Sequence, residues 1–127
     1  MASELRVNTL KDAAGNNSIG MSYVAEGSAK VWINFNGTGT IATRDSFNVT
    51  SITDGGTGLY TVTIANDMGN VNYSTTGAAG ENDDSGGNRS LGLRARAAGS
   101  QNLRGFRDGV SADDMAEMCI QLPGDLA

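Results

Sequence analysis

Between Lys30 and Met68 the chain reads KVWINFNGTGTIATRDSFNVTSITDGGTGLYTVTIANDM, short alternating runs separated by turn residues. Val31, Ile33 and Phe35 alternate with Trp32, Asn34 and Asn36, the two-residue period of a strand that buries one face. Asn36-Gly37 follows, a pair that tolerates the positive φ of a hairpin turn. A second hairpin is expected, with Phe47 and Val49 before its turn and Tyr60, Val62 and Ile64 after it. Asp54-Gly55-Gly56-Thr57-Gly58 lies between them. The stretch therefore specifies β-structure while carrying almost no chemistry of its own.

The flanking segments extend that reading. Residues 3 to 11 read as a short amphipathic strand, Leu5, Val7 and Thr9 on one face and Arg6 and Asn8 on the other. Asp12 to Ser18 is a turn, and Ile19 to Val24 is open to returning as a second strand. This arm, residues 1–28, is too short and too polar to bury itself, so it is expected to pack on a neighbouring copy or a larger assembly. In the body, residues 29–127, Val71 to Ser74 reads as a further strand. Thr75 to Asn88 (TTGAAGENDDSGGN) has no periodicity and reads as a long exposed loop, the usual place for recognition on a β scaffold. Leu91, Leu93, Ala95 and Ala97 alternate with Ser90, Gly92, Arg94 and Arg96. Near the C-terminus, Ser111 to Asp114 would cap a helix, but Met118, Ile120 and Leu122 also alternate as a strand ended by Pro123-Gly124. The strand is favoured, because a sheet needs its edges closed. The expected fold class is all-β: an antiparallel β-sandwich, a jelly-roll-like knob, behind a short N-terminal β arm.

Composition narrows the function. The chain has 127 residues, 18 glycines, one proline and a net charge of −5. Ordering so many glycines costs backbone entropy, and an oligomeric interface is one source of compensation. The acidic balance argues against a nucleic-acid partner, which needs a basic footprint. One cysteine and no histidine rule out an intramolecular disulfide and a Cys/His metal site within one chain. Cys119, between Met118 and Ile120, reads as a small buried hydrophobe. No apolar run approaches the ~18 residues of a membrane span, so no membrane insertion is expected. The N-terminus lacks the apolar core of a secretory signal, so synthesis and folding in a cytoplasm are expected.

Motifs add little. Gly37-Thr38-Gly39-Thr40-Ile41-Ala42 matches a dinucleotide fingerprint formally, but β-type alternation follows where a helix is required, so a hairpin turn is expected. Glu81 to Ser85 bunches its carboxylates without the staggered ligands of a calcium loop. Without histidine no Ser/His or Cys/His pair forms, so no catalytic residues and no cofactor are expected. Trp32 and Tyr60 are assigned to a core or intersubunit seam, the usual place of strand aromatics. Tyr73, Asn82, Asp83, Asp84 and Asn88, in or beside the polar loop, are the candidates for receptor contact. Five of the nine basic residues are Arg89, Arg94, Arg96, Arg104 and Arg107. They read as a solvated face or as intersubunit ion pairs, with a local anion site as the sharper alternative, and Arg89, Arg94 and Arg96 are the candidates.

The opening SELRVNTLKDAAGNNSI, the block VWINFNGTGTIATRDSFNVTSITDGGTGLYTVTIANDM and the ending MCIQLPGDLA resemble small virion proteins and tail-fibre segments of bacteriophages, especially phages of aquatic bacteria. That resemblance implies a non-enzymatic, homotrimeric fibre or fibre-tip protein located in the virion and made in the host bacterial cytoplasm. The arm would join it to other virion proteins, and the knob would engage a host surface glycan or protein. The chain shows no internal repeat and no shaft, so a capsid decoration or cement protein is the alternative. A glycan-processing enzyme is the remote one.

Overall fold

The computed structural model describes residues 3–81 and 87–127. Its arm holds β1 (Thr9–Lys11) and β2 (Ser18–Gly20), then α1 (Met21–Gly27). The body follows as β3 (Ala29–Asn36), β4 (Ala42–Phe47), β5 (Val49–Asp54), β6 (Leu59–Ile64), β7 (Thr76–Gly80), β8 (Arg89–Ala97), β9 (Ser100–Arg107), β10 (Ser111–Ala112) and β11 (Glu117–Pro123). All pairings are antiparallel, and the body is an antiparallel β-sandwich. Sheet I runs β5-β6-β9, with β8 along the far edge of β9 and β10 capping its end beside β6. Sheet II runs β4-β3-β11-β7.

Alternation assigns the inner faces. Val31, Ile33 and Phe35 of β3 and Met118, Ile120 and Leu122 of β11 meet Tyr60, Val62 and Ile64 of β6 and Leu103 of β9, all buried. Phe35 and Tyr60 pack edge-to-face with ring centroids 5.2 Å apart. The buried amide of Gln101 stays bonded: its Nε2 donates to the Asn102 carbonyl at 2.8 Å, and its Oε1 accepts from Thr75 Oγ1 at 3.1 Å. The chain crosses from sheet II to sheet I at Asn48, whose φ is +56°. Asn48 Oδ1 accepts the Asn66 N–H at 2.8 Å and Nδ2 donates to the Asn66 carbonyl at 3.0 Å, so one side chain replaces a missing ladder pair.

Several expectations hold. Gly37 to Ile41 connects β3 to β4 with no helix, so the glycine run is a hairpin connection. The ambiguous C-terminal segment is strand β11. Others are corrected. Residues 3–8 are outside any strand, and β1 begins at Thr9. The returning strand stops at Gly20, and Met21 to Gly27 is helical, closed by Ser28 Oγ donating to the Val24 carbonyl at 2.7 Å. Val71 to Ser74 is turn and coil, not strand, because Tyr73 is turned into the core there. The stretch read as one loop contains β7, paired along β11. Its inward positions are Gly77, opposite Ile120, and Ala79, opposite Met118. A Cβ on Gly77 would strike Leu91, Ile120 and the Cys119 carbonyl. The strand has no apolar alternation because Leu91 and Ile120 occupy the space its side chains would need.

Candidate interaction surfaces

The arm hydrogen-bonds mainly within itself. The Asp12 carboxylate closes its turn, accepting the backbone N–H groups of Asn16 and Asn17 at 2.9 and 3.2 Å and Asn17 Nδ2 at 2.7 Å. The Asn17 side chain, with those backbone donors, holds the Asp12 pKa below the usual carboxylate value. β1 pairs only with β2 among the described residues. The arm's apolar side chains face outward: Leu5 is 78% exposed and Tyr23 on α1 is 74% exposed, with Val7, Leu10 and Ile19 exposed beside them.

The residues singled out from the sequence do not form one site. Tyr73 is 5% exposed and belongs to the core; its hydroxyl lies 2.9 Å from the Ser100 carbonyl and 3.0 Å from that of Ala97. Burial raises its phenol pKa, and the Arg96 charge partly offsets the rise. It is therefore corrected from a surface contact to an internal anchor. Asn82, Asp83 and Asp84 lie outside the described residues. Asn88 is exposed; its carbonyl accepts the Asp108 N–H at 2.8 Å and its N–H donates to Asp108 Oδ1 at 3.2 Å.

Four of the five arginines find partners within the chain. Arg89 has a side chain 7% exposed and an ion pair to Glu81 at 2.9 Å. Its cross-strand neighbour Arg107 pairs with Asp113 at 2.7 Å. Arg96 donates to the Tyr73 carbonyl at 2.8 Å and lies 5.5 Å from that ring's centroid. Arg104 stacks on Phe106 at 4.8 Å, across the outer face from Gly92. Arg94 sits exposed at the bulge between β8 and β9. These arginines are spread over two faces and one strand end rather than gathered around one anion.

A surface that the sequence reading passed over lies on the outside of sheet II. Trp32 is on this outer face, not in the core, because its neighbours Val31 and Ile33 point inward. The register sets Phe47, Trp32, Gln121 and Thr76 in one row across four strands. Asp45, Asn34, Cys119 and Ala78 form the next row, so Cys119 is half-buried on an outer face rather than sealed in the core. A shallow groove of about 580 Å³ runs over the face, lined by Trp32, Asn34, Thr76, Ala78, Cys119 and Gln121. Arg44 lies at one end, donating to Asn34 Oδ1 at 3.1 Å and the Ala116 carbonyl at 2.6 Å, with the Glu117 carboxylate 4.0 Å away. Strict alternation was the signal that would have found this face: if Val31, Ile33 and Phe35 are inside, Trp32 is outside.

Among the described residues no three His, Cys, Asp or Glu side chains gather to hold a metal ion, and no helix is long and apolar enough to cross a membrane. Comparison with known proteins finds no matching family model, no matching curated protein and no matching solved structure.

Proposed function

We propose that this chain is a non-enzymatic structural protein of a bacteriophage virion, of the tail-fibre or fibre-tip type, which assembles as a homotrimer through its N-terminal arm and presents the sandwich for host-surface attachment. One observation carries the reading: the arm leaves Leu5, Val7, Leu10, Ile19 and Tyr23 in solvent, while the sandwich closes its core without them. Covering a side chain of this size contributes about 1.5–3 kcal/mol, so several covered at once are enough to drive association. A three-fold assembly repeats every surface contact, and linked weak contacts gain avidity. Antibody labelling of virions tests the setting. Label confined to the tail is expected; label spread over the whole head would reassign the chain to capsid decoration.

A further inference from the structure

The row Phe47–Trp32–Gln121–Thr76 is chemically unusual for the outside of a β-sandwich. Phe47 is 56% exposed and Trp32 is 36% exposed, directly opposite each other on β4 and β3. Cross-strand partners have Cβ atoms about 4.5–5.5 Å apart, so the two rings project from neighbouring positions of one face. Nothing in the core uses them. Beyond the rings, four strands at a spacing of about 4.8 Å give a track roughly 14 Å wide.

The lining selects the ligand class. None of the residues lining the groove is charged, in a chain whose net charge is −5. The charges flanking the rings are engaged within the chain: Lys30, which lines a separate pocket with Phe47, donates to the Ser28 carbonyl at 3.0 Å and hydroxyl at 2.6 Å, Asp45 accepts the Ser46 N–H at 2.8 Å, and Arg44 is bonded to Asn34 and two carbonyls beside the Glu117 carboxylate. That leaves amides and hydroxyls: Gln121 and Thr76 in line with the rings, and Asn34 in the next row. Aromatic faces accept apolar C–H surfaces, while amides exchange bonds with hydroxyl groups in either sense. A ligand that offers both, without charge, satisfies the groove. A protein partner fits worse, because such interfaces bury roughly 800 Å² a side around several apolar anchors. Here the exposed apolar surface of the row stops at Trp32 and Phe47.

We propose that the outer face of sheet II binds a neutral saccharide chain, its rings seated on Trp32 and Phe47 and its hydroxyl groups bonded by Gln121, Thr76 and Asn34. The groove begins at Trp32, with Phe47 beyond its lining as the next residue of the row, and its volume falls within the range of sites that hold small ligands. This inference rests on the attachment reading above and not on its assembly mode.

Trp32 is the sole tryptophan, so tryptophan emission, excited selectively over the three tyrosines, reports on this face alone. The test is titration with cellohexaose, maltohexaose and N-acetylchitohexaose, with dextran sulfate as the charged control. A saturable emission change with at least one neutral probe and none with dextran sulfate is expected. Phe47→Ala should weaken that binding roughly tenfold and Phe47→Tyr should retain it. Leu5→Asp with Leu10→Asp should dissociate the assembly and leave the intrinsic saccharide affinity unchanged. No response to any neutral probe overturns the inference. An emission shift driven by protein concentration alone also overturns it, since the face would then be covered by a second copy. A trimer by light scattering that binds none of the probes removes the saccharide face and spares the assembly. A monomer that still binds one does the reverse.

Discussion

Tyr60 shows how one buried polar atom ties distant turns together. Its hydroxyl lies 3.0 Å from both the Gly37 carbonyl and Asp114 Oδ1. The same carboxylate oxygen accepts the Gly58 N–H at 2.7 Å. Three connections, β3–β4, β5–β6 and β10–β11, thus meet at one phenol. Gly58 is required there: its φ is +67°, and a Cβ would lie 2.8 Å from the Asp113 and Gly105 carbonyls. Tyr60→Phe should cost about 1–3 kcal/mol, read as a lower denaturant midpoint with an unchanged slope. Burial first, then the bond to Asp114 and its negative charge, push the Tyr60 phenol pKa above its ordinary 10.0. A raised folded-state value means that its contribution is complete below pH 10 and is lost as pH rises toward that value. The midpoint should therefore fall above about pH 10, and less steeply in Tyr60→Phe. An equal fall in both proteins would refute the link. Tyr60 was legible as a core residue from its spacing with Val62 and Ile64. Its bond to Asp114 was not, because 54 residues separate them in the chain.

At the scale of elements, the sequence was clearest where one face is apolar and the other polar. β3, β6 and β11 have that contrast and were readable. β7 lacks it, since its inward residues are Gly77 and Ala79 and the apolar volume comes from Leu91 and Ile120. Gly77→Val should overpack this seam and destabilise the protein by about 1–3 kcal/mol. A wild-type midpoint would contradict that packing account. The arm turn depends instead on a charge. Asp12 has a lowered pKa, so its contribution is present above the ordinary carboxylate value of 3.8 and is lost as pH falls through the folded-state value. Hydrogen-exchange protection factors at the β1–β2 amides should fall below about pH 4 while β3 and β6 stay protected. Unchanged protection of the arm through that window would show that the turn does not need the carboxylate. The change of β2 into helix α1 was hidden, because Met21 to Gly27 is short and buries no residue. A helix of that kind leaves no periodic apolar stripe to read.

For the whole molecule, the all-β class was legible and the arrangement of its sheets was not. β11 sits between β3 and β7, pairing Met118 with Phe35 and with Ala79, and such non-local pairing leaves no local trace in a sequence. The outer face that carries Trp32 and Phe47 emerges only from that register. The arm was recognisable as a segment unable to bury itself, and its apolar side chains do remain outside. Whether those side chains drive assembly is the claim on which the functional reading stands. Light scattering on the intact chain during size-exclusion chromatography tests it most directly. The account predicts a mass of three chains of 13.1 kDa each, falling to one chain when Leu5→Asp and Leu10→Asp are combined. A stable monomer of the unsubstituted chain across the working concentration range would contradict it.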